Sequence, residues 1–126
     1  MSRSAKEFAR PLALTLLIAL LIAVFSFLPN GKLASLSGTD KLWHFGAYFC
    51  LIIPFAIIKP SLIKWVLPLG IMYGGFIEVL QPNFYRRLDL FDFVMNAFGA
   101  MSGAICGFLV NKFYLRSGSD DSASQV

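Results

Sequence analysis

The sequence predicts an all-α fold, a polytopic membrane protein built as a compact bundle of four transmembrane helices with both termini cytoplasmic. Two observations carry the class. Four apolar runs are long enough to cross, or nearly cross, a hydrocarbon core of ~30 Å. Hydrophobic residues make up 57% of the chain and charged residues only 14%, against roughly 25% charged in a soluble domain. A soluble core built from 126 residues cannot hide that much apolar surface, which includes 13 Phe side chains. A third observation, the placement of Lys and Arg, sets the orientation.

The first run, 12–28, follows Arg3, Lys6 and Arg10 and ends at Pro29-Asn30-Gly31. It exceeds a usual signal-peptide h-region and no Ala-x-Ala pattern follows it, so it reads as an uncleaved signal anchor. The second spans about 42–58, with a kink expected at Pro54, which a bundle tolerates. The third spans about 63–80 and stops before Pro82. The fourth spans about 90–112. Residues 1–11 are then a cytoplasmic N-terminus, 12–113 the membrane domain, and 114–126 a cytoplasmic tail. The Ser- and Asp-rich stretch Ser117 to Val126 is expected to be disordered.

One set of segment ends carries Arg3, Lys6, Arg10, Lys59, Lys64, Lys112 and Arg116, and the other only Lys32, Lys41, Arg86 and Arg87. The richer set faces the cytoplasm. The net charge of +4 therefore reads as a topology signal and as contacts to anionic lipid. No aromatic–basic surface suggests base stacking, so nucleic acid is not expected as a partner. Cys50 and Cys106 lie in apolar runs, outside any CxxC or Cys/His cluster, and read as buried free thiols.

Gly99, Gly103 and Gly107 recur every fourth residue and lay a smooth groove along the fourth span. Gly70 and Gly74 repeat it on the third. Such grooves admit a neighbouring backbone. The third and fourth helices are expected to touch, and the groove serves either packing within the chain or a homo-oligomer.

The residues a membrane helix should avoid are gathered. Asp40, Lys41 and His44 open the second span, and Asp40 and His44 share a face with Tyr48 one turn deeper. Glu78 and Gln81 close the third span. Arg86 and Arg87 sit in the turn. Asp89, Asp92 and Asn96 open the fourth span on one face, which Gly99 continues. By the topology, all of these fall at the non-cytoplasmic membrane face. A carboxylate near hydrocarbon costs several kcal/mol unless paired or protonated, and Lys41, His44, Arg86 and Arg87 are at hand. Either these groups neutralise one another and pin three helix ends, or they line a polar pocket open to the outside.

Three chemistries fit the pocket. A metal site would draw on His44, Asp40, Glu78, Asp89 and Asp92, but one His with scattered carboxylates lacks zinc-site spacing, and no metal or cofactor is assigned. An acid/base catalyst would use His44 with Asp40, Glu78 and Asp92 as its candidate groups. An anion site would use Arg86, Arg87 and Lys41 to hold a phosphate or carboxylate head group, with His44, Glu78, Gln81, Asp92 and Asn96 around it.

At these residues the chain resembles the VanZ-like family of small bacterial membrane proteins. That family's pattern reads Asp-Lys-x-x-His-Phe, then Glu-x-x-Gln, an Arg-bearing turn, and Asp-x-x-x-Asn-x-x-Gly. Here it reads Asp40-Lys41-Leu42-Trp43-His44-Phe45, then Glu78-Val79-Leu80-Gln81, then Arg86 or Arg87, then Asp92 to Gly99 through Asn96. The match runs roughly from Thr39 to Phe108. The resemblance implies a multi-pass protein of the bacterial cytoplasmic (inner) membrane with an outward-facing site, and it supplies no substrate. The leading expectation is binding or transport of an anionic cell-envelope component, a lipid head group or a peptide carboxylate, beside membrane lipid itself. The alternatives are an intramembrane hydrolase or transferase on a lipid-linked substrate, using His44 and carboxylates, and an accessory subunit of a larger membrane complex.

Overall fold

A chain in hydrocarbon must satisfy its backbone hydrogen bonds internally. The computed structural model describes residues 2–28, 39–84, 87–116 and 118, and meets that demand with helices. They are α1 (Arg3–Phe27), α2 (Thr39–Ile58), α3 (Ile63–Leu80) and α4 (Leu90–Val110). All four are long and apolar enough to cross a membrane. The chain is a multi-pass membrane protein.

The helix limits follow local chemistry. α1 starts well before its apolar run, because Ser2 caps it by accepting the Ala5 N–H at 3.2 Å and Arg3 pairs with Glu7 one turn on, at 3.4 Å. α2 continues through Pro54, which is buried against its neighbours. α3 gives way to a tighter turn at Gln81–Phe84, which contains Pro82. α4 starts on Asp89, whose carboxylate accepts the Phe91 N–H at 2.8 Å, and it runs on through a wider turn, Asn111–Leu115. The tail expected to be disordered lies outside the described residues, Gly118 apart.

Contacts between helices define the topology. Thr15 Oγ1 donates to the Leu51 carbonyl, and Phe8 meets Phe55, so α1 and α2 are antiparallel. Tyr73 donates to the Ala19 carbonyl at 2.6 Å and Gln81 Nε2 to the Ser26 carbonyl at 3.4 Å, so α1 and α3 run the same way. His44 meets Asn96, and Asn111 Nδ2 donates to the Ile57 carbonyl at 2.7 Å, so α2 and α4 are also parallel.

The α2–α4 pair is the most extensive helix contact, and glycine makes it close. A Cβ added at Gly99 would fall on the Phe45 carbonyl, one at Gly103 would meet the Phe49 carbonyl oxygen at 2.5 Å, and one at Gly107 would strike Ala56. The partner of this groove is thus α2. The sequence pointed to α3, and α3 and α4 do touch, but nearer the start of α4: Gly75 faces Phe93, and Gly74 faces both Tyr48 and Asn96. Gly70 packs on Ile52 of α2. The helices run parallel, and the first two contacts advance in step, four residues apart on each helix, before the groove ends against Ala56. These glycines are spent inside the chain.

Tyr48, Leu51, Ile52, Ala100 and Ala104 form the centre of the core, with Ile22 of α1. The core is small. Only 11% to 33% of each membrane-length window is buried, so most apolar side chains point outward, where lipid receives them. Trp43 and Trp65 are exposed near opposite ends of the bundle, the usual depth for interfacial Trp. Cys50 and Cys106 are free thiols as expected, but both sit on the outward surface rather than in the core. A bundle whose centre is filled by Tyr, Ile and Ala leaves other apolar positions on the lipid side.

Gly103→Ala is expected to lower stability by about 1–3 kcal/mol, the cost of overpacking a tight contact. Gly46→Ala, which meets nothing within 4 Å, should be neutral or mildly stabilising. Thermal unfolding in detergent distinguishes the two.

Candidate functional site

Three helix ends converge at one end of the bundle. Asp40 lies in the first turn of α2 and Asp92 in the first turn of α4, where the positive ends of the helix dipoles favour carboxylates. Glu78 lies in the last turn of α3 and is buried. His44, one turn into α2, sits among them, within about 8 Å of the helix start at 1.5 Å rise per residue. The site thus lies close to one end of the bundle.

His44 Nδ1 is 2.9 Å from Asn96 Oδ1. An amide oxygen only accepts, so Nδ1 carries the hydrogen. Nε2 is thereby fixed as the other nitrogen of the ring. It faces Asp92 Oδ2 at 3.5 Å and Asp40 Oδ1 at 4.0 Å. Glu78 Oε1 lies 3.8 Å from Nδ1. The imidazole is 11% exposed, between Asp92 at 7% and the more open Asp40 at 38%. Asp92 Oδ1, Asn96 Nδ2 and the Tyr48 hydroxyl are buried and make no hydrogen bond to any described residue.

One donor atom from each of Asp40, His44 and Asp92 lies within 4.8 Å of the others. The three form a part-buried His/Asp cluster able to coordinate a ligand or a metal ion. The sequence named all three among five candidate metal ligands, and spacing alone did not separate them from Glu78 and Asp89, because the set comes from two helices brought together by the glycine groove.

Other residues singled out by the sequence take different places. Lys41 turns to Asp89, at 3.8 Å, and lies over the Phe91 ring. Gln81 is buried, but its amide bonds the carbonyl of Ser26 on α1, which fixes the α1–α3 contact. Asp89 serves as the α4 cap. Arg87 is exposed, and Arg86 lies outside the described residues. Sequence reasoning missed the capping role of Asp89. The signal was present, since Asp directly before an apolar helical run is a strong N-cap.

Beside the cluster, between α3 and the start of α4, is a cleft of about 190 Å³ whose lining includes Gly75, Glu78, Val79, Asp89, Leu90 and Phe93. Its walls are apolar apart from Glu78 and Asp89.

The chain has a single histidine, which makes imidazole ¹⁵N NMR unambiguous. The neutral ring should show hydrogen on Nδ1, and Asn96→Ala should shift population toward the Nε2–H form. An unchanged tautomer in Asn96→Ala would remove the role given to Asn96.

Comparison with protein-family models, with curated proteins and with solved structures finds no match to this chain.

Proposed function

We propose that this protein is an intramembrane hydrolase or transferase acting on a lipid-linked substrate, with His44 as its acid/base group. The observation that carries the reading is the fixed His44 ring, held by Asn96 on one nitrogen and facing Asp92 and Asp40 with the other. Orientation of a base by a second group is the usual way to ready it for proton transfer. The apolar cleft next to the cluster suits part of an acyl or prenyl chain whose polar head reaches Glu78, itself 3.8 Å from the ring.

In the proposed reaction, Nε2 takes a proton from water or an acceptor hydroxyl as its oxygen bonds to the substrate's phosphoryl or acyl centre. The bond to the leaving oxygen breaks, and the same proton passes from the imidazolium to that oxygen. Asp40 and Asp92 stabilise the imidazolium between the two transfers. Glu78 is a second candidate acid/base group.

Binding or transport of an anionic envelope component has less support. Among the described residues, Lys41 is engaged by Asp89 and carboxylates predominate around His44. Arg87, and Arg86 beyond the described residues, remain its basis. The accessory-subunit reading loses the glycine grooves it relied on, since they are occupied within the chain. The likeness to the VanZ-like family, an inner-membrane location in a bacterium, and cytoplasmic termini belong to this proposal. Their support is the ordered motif from Asp40 to Gly99 and the asymmetry of Lys and Arg.

Purified protein in nanodiscs, offered a panel of phospholipids and polyprenyl-linked phosphates, should convert one class with a bell-shaped pH profile. His44→Ala should lower kcat/KM by about 10²–10⁴-fold, the usual share of general acid–base catalysis. Arg87→Ala should matter less. Substrate binding without turnover in the wild type would overturn the proposal and favour the binding reading.

A further inference from the structure

We infer that Asp40, His44 and Asp92 hold a divalent first-row transition cation, of the Zn²⁺ or Mn²⁺ class. The donors are suitable in kind. One imidazole nitrogen with two carboxylates is a mixed N/O set that these ions accept, whereas Cu⁺ prefers sulfur and Ca²⁺ prefers oxygen alone. The spacing is suitable too. Nε2 lies 3.5 Å from Asp92 and 4.0 Å from Asp40, near the roughly 3.4 Å between donors that bonds of ~2.1 Å impose in a tetrahedral site. All three donor atoms fall within 4.8 Å of one another.

Two further observations point to a ligand. Asp92 is 5% exposed, and its Oδ1 accepts no hydrogen bond from any described residue. A buried carboxylate with one oxygen in that state and the other facing Nε2 is costly, and a cation beside it offsets the charge that burial penalises. Asn96, outside the donor set and itself fully buried, accepts the Nδ1 hydrogen. That leaves the Nε2 electron pair aimed between the two carboxylates. A ligating histidine is held by an acceptor on its other nitrogen in the same manner. The charge also matches, since two carboxylates balance one divalent ion.

The inference rests on the site of the proposed function and deepens it by changing one role. A cation held there would occupy Nε2 and would supply the polarisation of the attacking water, so His44 would serve as ligand and Glu78, whose Oε1 lies 3.8 Å from the ring, would be the acid/base group.

The test uses tag-free, full-length protein in nanodiscs, stripped with chelator and then titrated with Zn²⁺ or Mn²⁺ alone. Bound metal is counted by elemental analysis, and Co²⁺ serves as a visible-absorption probe of coordination. One ion per chain is expected. His44→Ala should weaken binding at least about 100-fold, and Asn96→Ala by about 10–100-fold, as for other groups that orient a ligand. Asp40→Asn, at a half-exposed position that the fold tolerates, should also weaken it. Asp89→Asn keeps the helix cap and should bind like wild type. Absence of stoichiometric binding, or binding unchanged in both His44→Ala and Asp40→Asn, overturns the inference. If metal-free protein binds no cation yet turns over a lipid-linked substrate, the cation site fails and the proposed reaction stands. If the cation binds at His44 and no substrate is converted, the cation site stands and the reaction fails.

Discussion

The close parallel approach of α2 and α4 is the constraint on which the site depends. Gly99 and Gly103 let the α4 backbone lie against the carbonyls of Phe45 and Phe49. One turn above Gly99, the same stripe presents Asn96 and then Asp92. One residue before Phe45 comes His44. Any wider helix separation would take Asn96 Oδ1 out of hydrogen-bond range of the imidazole. Packing and chemistry are thus two stretches of one helix seam.

The seam also sets the energetics. Association of helices in lipid gains little from hydrophobic burial, so it rests on close packing and on hydrogen bonds across helices. This bundle uses both. Tyr73, Thr15 and Asn111 each donate to a backbone carbonyl on a neighbouring helix, ties that need no reactive side chain. The carboxylates beside His44 are different in kind. They occupy the first turns of α2 and α4 and the last turn of α3, near enough to the interface for water and head groups to reach them. Asp92 and Asn96 still keep buried polar atoms without a partner among the described residues. Residues kept only for stability would more economically be apolar.

Much of this was legible in the sequence. Hydrophobic length gave the spans because backbone satisfaction in hydrocarbon leaves few options. The gathering of Asp40, His44, Glu78, Asp92 and Asn96 at one end followed from alternation of helix direction, and the i, i+4 relation of Asp40 and His44 followed from the helical repeat. Helix neighbours were not legible. The Gly99–Gly107 groove says that something approaches closely, without saying which helix does, and its partner proved to be α2. The outward positions of Cys50 and Cys106 were hidden for the same reason: apolar residues on a membrane helix face core or lipid alike. Asp40, His44 and Asp92 were among the candidates, but spacing rules did not single them out from Glu78 and Asp89, because the selection depends on that pairing. Lys41 and Gln81 carried a polar signature that placed them at the site's end of the bundle, but their bonds to Asp89 and to Ser26 are set by tertiary contacts alone.

The α2–α4 seam couples His44 to Asn96. A double-mutant cycle on unfolding stability, with His44→Ala, Asn96→Ala and the pair, measures that coupling directly. An interaction energy of about 0.5–3 kcal/mol is expected, the range for side chains in direct contact. Additivity of the two substitutions within ~0.3 kcal/mol would contradict it, and would separate the seam from the site.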